Sequence, residues 1–168
     1  MNPLLFYFSA PGSVASWNPI NDGVMGGVSQ SQLRFDPAGH AVFCGHVSFE
    51  NNGGFASVRC QSCDLGRKDV IAYVLEVRGD GKRYKLNLRT DNSFDGVNYQ
   101  AYFDPPAGSW TSCRLASADF LPSWRGRVVA DAPPLDTARV QQVGLMIADR
   151  QEGPFALDVR AIAVEITC

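Results

Sequence analysis

Long apolar runs are missing from this sequence, and so are runs of a single charge. No stretch approaches the roughly 18 consecutive apolar residues of a membrane-spanning helix, so direct membrane insertion is not expected. Fifteen Lys and Arg residues stand against 17 Asp and Glu, a formal net charge of −2, and no basic run is longer than a pair such as Arg67-Lys68. A nucleic-acid partner therefore gets no electrostatic support. The apolar run Leu4 to Phe8 is too short for the core of a secretory signal and follows no basic residue, which leads to the expectation of a cytoplasmic location. Cysteine is scarce: Cys44, Cys60, Cys63, Cys113 and Cys168 are odd in number and irregular in spacing, which speaks against a disulfide framework and for a reducing compartment.

Catalytic signatures are missing as well. The only histidines, His40 and His46, lie in or beside a strand pattern, no GxSxG is present, and no Ser or Cys sits in a recognisable elbow. The acids Glu50, Glu76, Asp104 and Asp149 carry no mark that separates a glycosidase pair from surface carboxylates. No catalytic residue is assigned, and no cofactor is expected.

What is present is alternation. Hydrophobic residues make up 45% of the chain, with Gly and Pro spread along its length, so it reads as a turn-rich globular protein whose 168 residues suit one domain, 1–168. In IAYVLEVRG, Ile71, Tyr73, Leu75 and Val77 share one face; in KRYKLNLRT, Tyr84, Leu86 and Leu88 oppose Lys85, Asn87 and Arg89. The intervening GDGK, Gly79 to Lys82, reads as a tight hairpin turn joining these two strands. NYQAYFD repeats the pattern, setting Tyr99, Ala101 and Phe103 against Gln100, Tyr102 and Asp104. Further strands are expected at Leu4 to Phe8, Leu33 to Phe35, Ala41 to Phe49, Phe55 to Cys60, Trp110 to Leu115, Val128 to Ala130, Val140 to Ala148 and Phe155 to Ile166, with one or two helical turns around Leu135 to Val140. About ten short strands with Gly/Pro turns predict an all-β jelly-roll sandwich.

Two glycine-rich strings stand out. NDGVMGGVSQ, Asn21 to Gln30, has neither the preceding buried strand nor the following helix and Lys of a phosphate loop. Asn21, Asp22, Glu50, Asn51 and Asn52 offer oxygens for a hard cation, but without the dense Asp pattern of a calcium loop, and no metal site is assigned. Turn formation explains the strings better: Asn and Asp start turns by bonding their own backbone, and Gly23, Gly26 and Gly27 are able to take positive φ. We expect the Asn21 to Ser29 loop to lie against Glu50 to Phe55, with Met25 tucked into the core. The Cys60 to Cys63 spacing of a zinc knuckle lacks a second pair and reads as two ordinary thiols at a strand end. Lys85, Asn87 and Arg89 would stand beside Gln100 and Tyr102 on one polar face, either a solvated exterior or a binding surface.

In its motifs the chain resembles the complex I intermediate-associated protein family, which assists assembly of respiratory NADH:ubiquinone oxidoreductase. Carrying the resemblance are Trp17 with NDGVMGGVS, FCGHVSFENNGGFASVR (Phe43 to Arg59), RGDGKRYKLNLRT with YQAYF, Trp110 and GPFALDV. It implies a galactose-binding-domain-like jelly roll and a non-catalytic assembly factor, chaperone or scaffold whose partners are subunits or intermediates of a membrane redox complex. Asp22, Met25, Gly26 and Gly27 match the first family string, and Asn51, Asn52, Gly53, Gly54 and Phe55 the second. A targeting extension like that of the mitochondrial members is not seen, which sets the mitochondrial role itself in question. Similar domains also occur fused to short-chain-dehydrogenase-like modules. The alternative is a carbohydrate-binding module using a polar concave sheet face. Candidate binding residues are Asn21, Asp22, Met25, Gly26, Gly27, Asn51, Asn52, Lys85, Asn87, Arg89, Gln100 and Tyr102.

Overall fold

Alternating apolar residues are buried on one side of a strand only when a second layer covers that side, so a chain of such strands closes as two sheets face to face. The computed structural model describes residues 2–20, 29–49, 54–91, 96–124, 127–149 and 151–167, and has this architecture. One sheet is built from β1 (Leu4–Tyr7), β3 (Gln30–Asp36), β4 (His40–Val47), β6 (Val70–Arg78), β9 (Trp110–Ala116) and β13 (Gly153–Ile166). Its order is β3-β4-β13-β6-β9, and β1 lies against the later half of β13. The second holds β2 (Trp17–Pro19), β5 (Ala56–Cys60), β7 (Tyr84–Arg89), β8 (Asn98–Phe103), β10 (Leu121–Trp124), β11 (Arg127–Val128) and β12 (Gln142–Ile147). Here the order is β11-β10-β8-β7-β12-β5-β2. The expected jelly-roll β-sandwich is the fold observed, with all its strand pairs antiparallel.

The inner faces meet as the alternation demands. Tyr73, Leu75 and Val77 of β6 and Phe43 of β4 lie in one buried cluster with Leu86 and Leu88 of β7, Phe103 of β8 and Leu145 of β12. Each such side chain contributes roughly 1.5–3 kcal/mol on leaving water. The turns expected around Leu135 to Val140 reduce to a 3₁₀ segment, Thr137–Arg139, capped by the Asp136 carboxylate accepting from the Ala138 N–H at 3.1 Å.

One expectation is overturned. Gly79 to Lys82 does not close a hairpin: β6 pairs with β9 and β13, whereas β7 pairs with β8 and β12 in the opposite sheet. Both strands carry buried residues on their inner faces, and two such faces cover each other across a sandwich better than side by side. Periodicity alone does not distinguish the two arrangements. The crossing is held by Asp80, whose carboxylate accepts from the Tyr84 hydroxyl at 3.0 Å, the Lys82 N–H at 3.1 Å and the Ala156 N–H of β13 at 2.8 Å. Gly79 is required because a Cβ there would sit 2.5 Å from the Pro105 carbonyl oxygen.

Asp80→Ala leaves the buried Tyr84 hydroxyl and the Ala156 N–H without their acceptor, and the expected loss is about 1–3 kcal/mol in denaturant unfolding. Tyr84→Phe in the same background should cost less than it does in the wild-type chain, because the hydroxyl has already lost its partner. Additive losses would show that the crossing does not depend on this bond.

Candidate functional site

The outer face of the seven-stranded sheet is built by the residues that alternate with its core. On β7, Tyr84, Leu86 and Leu88 join the core cluster, which turns Lys85, Asn87 and Arg89 outward. Register then sets their neighbours: Lys85 pairs with Tyr102, and Asn87 with Gln100. The five sequence-derived candidates on these two strands thus share one face. On the other side of β7, β12 sets Gln142 opposite Arg89, Gly144 opposite Asn87 and Met146 opposite Lys85. Beyond it β5 sets Arg59 opposite Gly144 and Ser57 opposite Met146, and Asn18 of β2 pairs with Arg59. A row Gln100–Asn87–Gly144–Arg59–Asn18 therefore crosses five strands at the usual spacing of about 4.8 Å per strand.

This face is not simply solvated. Asn87 is 5% exposed and Arg89 2%, although both point away from the core cluster, whereas Tyr102 is 48% exposed. Cations gather here. Arg89 lies 3.5 Å from Asp91, Lys85 4.0 Å from Asp149, and Arg83 2.9 Å from Asp104. Arg83 and Lys85 also stand over the Tyr102 ring, each 4.9 Å from its centroid, a cation–π arrangement. Arg59, half-buried, makes no hydrogen bond or ion pair with a described residue. Burial, and then the like charge of Arg89, lower its guanidinium from 12.5 to about 10.

The amides are only half satisfied. Gln142 donates from Nε2 to the Cys60 carbonyl at 3.2 Å, which fixes its orientation and leaves Oε1 buried without a donor. Asn87 Oδ1 and Asn98 Oδ1 are likewise buried and unpaired. Asn87 Nδ2 and Gln100 Nε2 reach only the thioether sulfur of Met146, at 4.0 and 3.6 Å. Unmade hydrogen bonds of buried groups cost about 1–3 kcal/mol each, so three unpaired acceptors on one face mark a surface suited to donors from a ligand.

The remaining candidates, Asn21, Asp22, Met25, Gly26, Gly27, Asn51 and Asn52, lie outside the described residues, as do the predicted contact between the two glycine strings and the placement of Met25. Their described flanks are tied together: Ser48 N–H donates to Ser29 Oγ at 2.9 Å, and Ser29 Oγ donates to the Ser48 carbonyl at 3.2 Å. Among the described residues no three His, Cys, Asp or Glu side chains gather as a metal cluster. On the outer face of the other sheet, Asp158 lies 2.6 Å from Arg78 and 3.5 Å from His40, and Trp110 packs between Arg78 and Arg160. Those charges are largely answered within the cluster.

Arg59, Asn98, Gln142 and Met146 were not singled out from the sequence. Alternation marks their outward direction, but which strand lies beside β7 is decided by pairings more than fifty residues apart in the chain.

Cys60, at the end of β5, is buried and accepts from the Val143 N–H at 3.2 Å; burial pushes its thiol from 9.0 up to about 11. Between about pH 9 and pH 11 the unfolded thiol loses its proton and the folded one keeps it. The unfolded state then binds fewer protons, so stability falls as pH rises through that window, by up to about 3 kcal/mol. Unfolding measured across the window should show a shallower fall in Cys60→Ala than in wild type; equal slopes would contradict the assignment.

Comparison with known proteins adds two findings. The family model described as Complex I intermediate-associated protein 30 (CIA30) matches residues 6–159. The chain is 26% identical over 96% of its length to the mitochondrial Complex I intermediate-associated protein 30 of Drosophila melanogaster, and 31% identical over 73% of its length to that of Mus musculus. It spans 62% and 37% of those two proteins. Among solved structures it is similar to a family 11 carbohydrate-binding module from Clostridium thermocellum in complex with a β-1,3-1,4-mixed-linked tetrasaccharide. The TM-score is 0.71 at 13% identity, covering 98% of this chain and 96% of that one. At that identity the likeness is one of fold.

Proposed function

Because the chain belongs to the Complex I intermediate-associated protein 30 family, we propose that it is a non-catalytic, protein-binding assembly factor. Its clients in this reading are subunits or intermediates of a membrane redox complex of the NADH:ubiquinone oxidoreductase kind. The observation that carries the reading is the family match across residues 6–159, supported by relatives that are named as complex I intermediate-associated proteins. We take residues 1–168 as one domain, which the single contiguous core cluster supports. Four free cysteines among the described residues fit a reducing, cytoplasmic setting. No described helix is long and apolar enough to cross a membrane, so contact with a membrane complex would run through its protein subunits. Affinity capture of the tagged full chain from its own cells should recover such subunits. Recovery of the bare chain alone, under conditions that keep the complex intact, would refute the reading.

A second reading has its own support. Asn87, Asn98 and Gln142 present unpaired amide oxygens on one sheet face, and the fold is that of carbohydrate-binding modules. In this alternative a glycan lies on that face, its hydroxyls donating to the amides beside the exposed Tyr102 ring. A glycan array probed with the full chain should then give hits that weaken in Gln142→Ala. An array at background removes it.

A further inference from the structure

Charge on the outer face of the seven-stranded sheet runs against the balance of the chain. Acids outnumber bases, 17 to 15, yet this face carries Lys85 and Arg89 on β7 and Arg59 on β5, with only β12 between the two strands. The carboxylates that answer Arg89 and Lys85 belong to Asp91 and Asp149, both exposed and lying beyond the strand ends. Arg59 has no such answer among the described residues. Its charge is held half-buried, next to a second guanidinium, at the lowered affinity for its proton described above. A neutral side chain of similar reach would satisfy the fold at lower electrostatic cost. Retaining a half-buried cation with no counter-charge among the described residues makes physical sense when that charge arrives with a partner.

The surroundings of Arg59 suit the same partner. Gly144, opposite it, contributes no side chain between Arg59 and Asn87, and a Cβ there would sit 2.9 Å from the Val58 carbonyl oxygen, so the position holds bare backbone. Asn87 Oδ1 and Gln142 Oε1 flank it as unpaired acceptors. The set is therefore one guanidinium in want of an anion, with acceptors in want of N–H or O–H donors. A protein chain with Asp or Glu side chains brings both, a carboxylate and a main-chain N–H at every residue. A neutral saccharide would meet the amides and leave the Arg59 charge unanswered. A DNA backbone would answer the Arg59 charge with phosphate but brings no N–H or O–H donor to the amide oxygens.

We propose that this face docks an acidic segment of a client protein, with a client carboxylate on Arg59 and client N–H groups on the amide oxygens of Asn87 and Gln142. The proposal rests on the reading of the chain as a client-binding assembly factor, and names the chemistry of the segment and the place where it binds.

The full chain should bind a fluorescently labelled poly-glutamate peptide, with affinity that falls as salt is raised, and should not bind its poly-lysine counterpart. Arg59→Gln should weaken poly-glutamate binding roughly tenfold, the loss of one charge-assisted contact, while its melting temperature stays level or rises. Arg59→Lys should restore part of the affinity. Arg127→Gln, on the exposed edge strand β11, should leave binding unchanged. Unchanged binding in Arg59→Gln, or tighter binding of a mixed-linked β-glucan or a polyuronate than of the peptide, would overturn the proposal. Affinity capture separates this outcome from failure of the broader reading. If wild type and Arg59→Gln recover the same client subunits, assembly stands and the dock lies elsewhere; if wild type recovers none, the assembly reading itself falls.

Discussion

Tyr84 is held between the two sheets. Its ring lies 6.1 Å from Phe43 and 6.4 Å from Phe155 of one sheet and 6.1 Å from Phe103 of its own, and its hydroxyl donates to Asp80 at the crossing between them. Burial, then the neighbouring Asp80 carboxylate, raise its phenol far above the ordinary range, which keeps the hydroxyl protonated as a donor to that carboxylate. Because the same carboxylate also takes the Ala156 N–H of β13, one side chain fixes the relative position of β7 and the long strand of the opposite sheet. The direction in which Lys85, Asn87 and Arg89 point follows from the burial of Tyr84, Leu86 and Leu88, since side chains alternate along a strand.

That constraint explains why the polar face is a defined surface. With β7 anchored, its register to β8 and β12 is set by backbone ladders, and five strands bring Gln100, Asn87, Gly144, Arg59 and Asn18 into one row. Side chains of this kind at the end of a loop would satisfy one another or turn to water. Held on a rigid sheet they do neither completely, which is why, among the described residues, amide oxygens are left without donors and a guanidinium without an anion. Such incomplete satisfaction lowers stability, and sites that bind are where proteins tolerate it.

The two outer faces of the sandwich contrast in this respect. On the six-stranded sheet, the Asp158 carboxylate sits within the cluster, 2.6 Å from Arg78, and Trp110 lies against Arg78 and Arg160. On the seven-stranded sheet the acids sit at the periphery and the floor remains cationic. The family match is to Complex I intermediate-associated protein 30, and the likeness to carbohydrate-binding modules is one of fold.

Much of the architecture was legible in the residues alone. The period-two patterns of IAYVLEVRG, YKLNLR and NYQAYF state which side of each strand is apolar, and a chain rich in such patterns must close as two layers to bury them. That Lys85, Asn87 and Arg89 share a face with Gln100 and Tyr102 followed from the same rule, whereas the pairing of Lys85 with Tyr102 and Asn87 with Gln100 is set by the register of β7 on β8. Which layer each strand joined was not legible. Period-two alternation reads the same whether β6 and β7 lie side by side or across the core, and in the structure Asp80 holds the latter arrangement by bonding to both Tyr84 and Ala156. The same holds for Arg59 and Gln142: their outward direction is local, but their meeting with Asn87 depends on β12 inserting between β7 and β5. The sequence by itself determined the faces of the strands, since side-chain direction is a property of the local backbone; only the tertiary structure decided which faces lie beside one another, since strand order is set by the burial of the whole core.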